Sequence, residues 1–364
     1  MPAYSSPSAA HPSTALPLAH SAAPRLRPGR TLHLAAAIGG GPAAQGTAHY
    51  RDLALLAEGG GLDFVTLELA AGACEGAGGP EGSTGAGAGA GGGTLDALAL
   101  LAGVAPATRR IGVVPAVPFV PAADAAVFDV AAAVATLDRV SRGRAGWTLS
   151  VPGPPPRARG RRRPAERSAA VWRAVGDTAA AVTGMWRGGS GPAPAAPVTV
   201  LDATERGARG VAARHADIAF VRAAGPEDAA RTGADLRRLA AEAGRDPDRL
   251  LVLADLSVDL GGAEAGAEPG AEVALLPDAS GGVLFRGGPV DLADLIADWQ
   301  RRAAVDGFHV RPAEPARDLE RFVNGTAALL QHRGLFRSFH PGATLREHLD
   351  LHRPSRPAAR GVLS

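Results

Sequence analysis

Residues Ile111 to Val151 read IGVVPAVPFVPAADAAVFDVAAAVATLDRVSRGRAGWTLSV. A short β-branched run, Ile111 to Val117, passes through a Pro-flanked loop into an apolar segment of helical period that closes on TLDRVS. That segment runs directly into GRAGWTLSV, Gly143 to Val151. Strand, loop, helix, glycine turn and strand in this order describe a parallel βαβ unit, with Gly143 ending the helix before the next strand.

The same alternation extends in both directions. Strand-like segments fall at Leu32 to Ile38, Phe64 to Leu69, Ile111 to Val117, Ala145 to Val151, Val198 to Leu201, Ile218 to Val221, Leu250 to Val258 and Gly307 to Val310. Helix-period segments lie between them, near Ala48 to Glu58, Leu95 to Thr108, Ala123 to Val140, Ala165 to Met185, Arg206 to His215, Pro226 to Ala243 and Leu292 to Ala304. A last helix is expected from Asp318 to His332. Strict βα alternation with short strands predicts an α/β fold, and eight repeats over this length predict a closed (β/α)8 TIM-type barrel. The expected organisation is a disordered tail over 1–30, one barrel domain over 31–354 and a short tail over 355–364.

Composition bounds the rest. With 364 residues, 46% hydrophobic and 20% charged, the chain can bury a large core. All 38 basic residues are arginine, and the net charge is only +2. The basic residues are spread along the chain, so no nucleic-acid partner is expected. A single cysteine, Cys74, excludes an internal disulfide framework and fits a cytoplasmic protein. The first thirty residues are interrupted by proline and carry no basic residue before Arg25, which makes a poor signal peptide. No apolar run approaches the roughly 20 residues of a membrane helix, so no membrane partner is expected.

In a barrel of this kind the chemistry sits on the loops that follow the strands. These begin near Gly39, Leu69, Pro118, Pro152, Asp202, Arg222, Gly261 and Arg311. The glycine and alanine run Ala71 to Gly93 reads as a lid or as low-complexity sequence. The cluster Arg157, Arg159, Arg161, Arg162 and Arg163 reads as an anion-attracting loop or a solvated basic one. After the fifth strand, VTVLDATERGARGVAARHAD opens a helix whose first turn carries Arg206 and Arg209. Its N-terminus is an anion site or an ordinary helix start capped by Thr204. No HExxH, CxxC or GxSxG pattern is present.

TLDRVSRGRAGW, AARHADIAFV, AGRDPDRLLVLADL, DLADLIADWQRRAAVDGFHVRPA and LLQHRGLFRSFHPGATLREHLDL, in this order, resemble the bacterial-luciferase-like flavin-dependent monooxygenases. The branch is the one containing nitrilotriacetate, dibenzothiophene-sulfone and pristinamycin monooxygenases, and GLDFVTLE, Gly61 to Glu68, fits its second strand. The resemblance implies a luciferase-like barrel that takes reduced FMN from a separate NAD(P)H-dependent flavin reductase and reacts it with O2 to oxygenate a small organic substrate. It implies cofactor contacts from Glu68, Ala116, Thr148, Thr204, Glu205, Arg206 and Gly207. Leu69 stands where many relatives have Asp, Ala116 where the position is often polar, Thr148 where Asn is common and Glu205 where a phosphate-binding Ser is common. The Trp186 to Val198 connection is shorter than in large members of the group.

His309, on the eighth strand, is the candidate catalytic residue, with a packed structural histidine as the alternative. His33 reads as a satisfied barrel-interior residue, Trp147 as a flavin neighbour or a core filler, and Cys74 as incidental. LFRSFHPGATLREHLDL reads as a segment that wraps the barrel or pairs subunits, and a homodimer is expected. No metal is expected. Two other functions stay open: a degenerate, non-catalytic barrel serving as a partner subunit, and a deazaflavin-dependent oxidoreductase on the same barrel.

Overall fold

The computed structural model describes residues 32–39, 45–69, 96–119, 124–151, 164–187, 196–261, 274–278, 282–302 and 304–351. The expected terminal tails, the glycine-rich run, the Arg-rich loop and Cys74 lie outside the described residues. All eight expected strands form: β1 (His33–Ala37), β2 (Phe64–Leu67), β3 (Gly112–Pro118), β4 (Gly146–Ser150), β5 (Val198–Asp202), β6 (Ile218–Val221), β7 (Leu251–Asp259) and β10 (Gly307–Pro312). Each pairs in parallel with its neighbours, and β10 pairs with both β7 and β1, which closes the barrel.

The helices packed around it are α1 (Thr47–Gly59), α2 (Asp96–Val104), α3 (Asp124–Ser141), α4 (Pro164–Arg187), α5 (Arg206–His215), α6 (Pro226–Glu242) and α7 (Pro289–Arg301), followed by α8 (Pro315–Arg321), α9 (Ala328–His332) and α10 (Leu345–His348). Gly143 ends α3 as expected. It adopts φ +81°, and its N–H reaches the Asp138 carbonyl at 2.8 Å.

Two features depart from the sequence reading. A hairpin of β8 (Ala274–Pro277) and β9 (Val283–Arg286) was not expected; β9 runs parallel to the end of β7, from Ser257 to Asp259. The expected helix from Asp318 to His332 is broken by a π-helical turn, Phe322–Ala327. There the Pro289 ring fills the space beside Gly325 that a Cβ would occupy, and Thr326 Oγ1 donates to the Pro289 carbonyl at 2.8 Å. Trp147 is a fully buried core filler, yet it does not point into the barrel. It packs edge-on against Trp186 in the layer between sheet and helices and donates to Thr199 Oγ1 at 3.1 Å.

Strand alternation sends every second side chain into the barrel. The lower interior is one apolar cluster of Ala35, Phe64, Val114, Val198, Val200, Ile218, Phe220, Leu251 and Leu253. The C-terminal segment seals this end, because Leu345, Leu349 and Leu351 join the same cluster. Gly112 makes room: a Cβ there would lie 2.6 Å from Leu345 Cδ1 and 2.8 Å from Phe64 Cβ. Thr344 and Glu347 form a reciprocal cap on α10, and Arg346 bonds Asp217 at 2.7 Å and the Ala196 carbonyl at 2.6 Å. His33 is satisfied in the interior as expected, with Nδ1 3.2 Å from the buried Asp63 carboxylate, which Arg337 also contacts at 2.9 Å.

Two outcomes follow for this seal. Leu345→Ala is expected to lower unfolding free energy by about 2–5 kcal/mol in urea denaturation, whereas Phe339→Ala, at a residue 71% exposed, changes it little. His348 is buried, and burial pushes its pKa down from 6.5 to about 4 despite its bond to the Gly342 carbonyl. The folded state therefore holds this ring neutral. Its contribution is full above pH 6.5 and is lost as pH falls toward 4, so the urea midpoint drops across that window less steeply in His348→Gln.

Candidate active site

The C-terminal end of the barrel is built by the upper interior positions of its strands. On β1 these are Ala35 and Ala37, which lie in register with His309 of β10 and Thr66 of β2. Because β1 offers only methyl groups at these two positions, side chains from the strands on either side meet above it. Thr66 Oγ1 lies 2.8 Å from His309 Nε2, and His309 Nδ1 lies 2.8 Å from Asp255 Oδ1 on β7. Phe220 stacks on the imidazole with ring centroids 4.4 Å apart and planes at 13°.

Asp255 is the hub. Arg222 Nε donates to Asp255 Oδ2 at 2.8 Å, and Arg222 also pairs with Asp202 at 3.1 Å. Arg311 pairs with Asp255 at 3.2 Å and with Asp278 at 3.2 Å, and donates to Ser257 Oγ at 3.0 Å. Burial alone would raise the Asp255 pKa. The His309 hydrogen bond and the charges of His309, Arg311 and Arg222 outweigh it and hold the carboxyl far below the usual range. Burial likewise disfavours the Arg222 cation, but Asp202 and Asp255 more than compensate and raise its pKa. An ionised carboxylate only accepts, so His309 Nδ1 carries a proton toward Asp255, and whenever the ring is neutral its Nε2 accepts from the Thr66 hydroxyl.

A second pair crosses β3 in the same way. The inward positions of β3 here are Ala116 and Pro118, and above them the Ser150 hydroxyl of β4 donates to Glu68 at the end of β2. Ala116 lies in register with Thr148. The structure thus brings Glu68, Ala116, Thr148 and His309 to one rim. Strands β2 and β4 end there as well.

The turn into α5 corrects one expectation. Thr204 does not cap the helix. Its hydroxyl accepts from the Arg222 backbone N–H at 3.1 Å, and its own N–H donates to Asp202 at 2.8 Å. Glu205 occupies the residue before the helix and makes no side-chain cap, because its carboxylate accepts from Trp172 Nε1 at 3.0 Å. Gly207 packs beneath the same indole, where a Cβ would lie 2.9 Å from Trp172 Cδ1. Arg206 is exposed, and Arg209 turns to α6, pairing with Asp235 at 3.5 Å.

Thr66, Asp255 and the arginines at 222 and 311 were not singled out from the sequence as site residues. A signal existed: Asp255 is the lone charge within LLVLADLSV, and a carboxylate placed inward on a buried strand needs cationic partners. An open groove of about 650 Å³, lined by Asp228, Arg231, Leu275, Asp298 and Trp299, lies elsewhere and contains none of the network's side chains. Among the described residues no group of three His, Cys, Asp or Glu is placed to hold a metal ion, and no helix is long and apolar enough to cross a membrane.

A model of the family described as luciferase-like monooxygenase matches residues 31–276, and the chain belongs to that family. It is 41% identical over 71 residues to N-acetyl-S-(2-succino)cysteine monooxygenase of Bacillus subtilis (strain 168), covering 20% of this chain and 16% of that protein. It is 39% identical over 82 residues to nitrilotriacetate monooxygenase component A of Aminobacter aminovorans, covering 22% and 18%. These matched stretches thus span less than a fifth of either relative. Among solved structures, EDTA monooxygenase from Chelativorans sp. BNC1 superposes with a TM-score of 0.65 at 17% identity, over 89% of this chain and 99% of that one, a likeness of fold.

Asp255→Ala removes the shared partner of two guanidiniums and an imidazole. It is expected to cost about 3–5 kcal/mol in chemical denaturation, because it takes the buried carboxylate from two part-buried guanidiniums and a buried imidazole. Asp235→Ala, on the outer surface, is expected to cost less than about 1 kcal/mol.

Proposed function

We propose that the chain is a monooxygenase that takes reduced FMN from a separate NAD(P)H-dependent reductase and uses O2 to oxygenate a small organic substrate. The observation that carries this reading is the shelf of small inward residues at the rim, Ala37, Ala116 and Thr148, beside a fixed polar network. Such a shelf leaves room for a planar ring at the end of the barrel where chemistry resides. The residues present fit a flavin. Ala116 and Thr148 would lie along the ring, and the Thr204–Gly207 turn would meet the phosphate with backbone N–H groups of the α5 N-terminus. The carboxylate of Glu205 is drawn to Trp172, which lessens its opposition to an anion there.

Reduced FMN, when bound, supplies the electrons that activate O2. This chain's part is to hold, orient and keep water out: the leucine-sealed lower end and the Phe64, Phe220 and His309 stack close the barrel beneath the shelf. The relative named component A supports a division of labour between an oxygenating chain and one that supplies reduced flavin.

Titration of the protein with oxidised FMN, reduced FMN under anaerobic conditions and a deazaflavin tests the reading. FMN is expected to bind in both redox states. With a flavin reductase, NADH and O2, oxygenated product forms only when substrate is present. Deazaflavin binding without FMN binding would replace the monooxygenase reading with the deazaflavin oxidoreductase. Failure to bind either would favour a partner subunit. Glu205→Ser is expected to tighten FMN binding about two- to fivefold, the scale of one charge at a helix N-terminus.

A further inference from the structure

We infer that the Thr66 hydroxyl is the ligand-facing end of a buried proton relay, with His309 as the exchanging base and Asp255 as the residue that positions it. This rests on the reading of the barrel mouth as the reaction pocket. His309 cannot itself present a nitrogen to a ligand. Nδ1 is held by Asp255 and Nε2 by Thr66, each at 2.8 Å, and Phe220 stacked at 4.4 Å opposes rotation of the ring. Thr66 differs. A hydroxyl has one proton and two lone pairs, so after donating to Nε2 it can still accept from a ligand N–H or O–H. It lies in register with Ala37, one inward position below Glu68, where the neighbouring strand offers only a methyl group.

The transfer balances. When a ligand atom releases its proton to Thr66 Oγ1, the hydroxyl's own proton passes to His309 Nε2. The ring becomes imidazolium, Nδ1 keeps its proton and Asp255 stays ionised. In reverse, the imidazolium returns a proton through Thr66 to the ligand. Nothing is oxidised or reduced.

The surroundings suit a ring that gains and loses one charge. The groups facing it are Thr66 and Phe64 from β2, Phe220 and Arg222 from β6, Asp255 from β7 and Arg311 from its own strand, with Asp202 and Asp278 behind the guanidiniums. Among the described residues three carboxylates face two guanidiniums, so a ring that gains a proton moves this group toward neutrality. Glu68 stands above, bonded to Ser150.

Two measurements test the relay. In the protein without flavin, long-range ¹H–¹⁵N NMR of the imidazoles, with His309→Gln for assignment, is expected to show the Nδ1–H tautomer at high pH. Its titration should shift in Thr66→Val and return in Thr66→Ser. With reductase, NADH and FMN, the rate of reduced-flavin oxidation should depend on pH through one ionisation. Thr66→Val should flatten that profile and slow the rate at least about tenfold, and Thr66→Ser should restore both. An Nε2–H tautomer, or an unchanged titration and pH profile in Thr66→Val, would overturn the relay. If wild-type protein binds no flavin, the flavin reading falls, and the tautomer and titration decide the relay without it.

Discussion

The space inside an eight-stranded barrel must be filled from alternate positions of its own strands, and side-chain size along each strand decides where it is filled and where it opens. At the lower end Phe64 and the leucines at 251, 253, 345 and 349 occupy it completely, to the point that Gly112 and Leu345 must share one side chain's worth of space. At the upper end β1 and β3 contribute little more than methyl groups at Ala37 and Ala116. Their absent bulk lets Thr66 meet His309 across one strand and Glu68 meet Ser150 across another. The polar network is thus a result of the small residues on the strands it crosses.

Buried charge is handled by arginine throughout. A guanidinium spreads its donors over a fork, so one side chain can satisfy several acceptors at once. Arg222 bridges Asp202 and Asp255, and Arg337 reaches the fully buried Asp63. Arg144 is buried without a carboxylate contact, yet it donates to the carbonyls of Ala105, Thr108, Ile111 and Ser141 and to the Thr108 hydroxyl. Burial lowers its pKa, and the ring of acceptors lets it remain where GRAG turns into β4. The +2 net charge hides how much of the arginine content is committed to internal contacts.

The barrel was legible because its signals are local. The period of TLDRVS, the glycine after it and the β-branched runs are properties of short windows, and the observed strands fall on them. The family motifs were equally local, and they pointed to the right class. The site was only partly legible. His309, Ala116, Thr148 and Glu68 do share a rim, but Asp255 and Thr66 are joined through His309 by register between strands far apart in sequence, which no window reveals. The Thr204 cap failed for the same reason, since its hydroxyl bonds the backbone at the end of β6 instead. The β8–β9 hairpin escaped because its short strands lie in a region read as loop, and its pairing with β7 is tertiary.

Closure by β10 has a consequence for how the protein is made. The inner edge of β1 pairs with Gly307 through Val310, and the lower seal follows later still, at Leu345. During translation, therefore, β1 to β7 emerge as an open parallel sheet with two unpaired edges and an uncovered apolar floor, long before the residues that complete them leave the ribosome. Until β10 docks, the exposed edges and floor favour association between chains, a hazard that the stability of the finished barrel does not reduce.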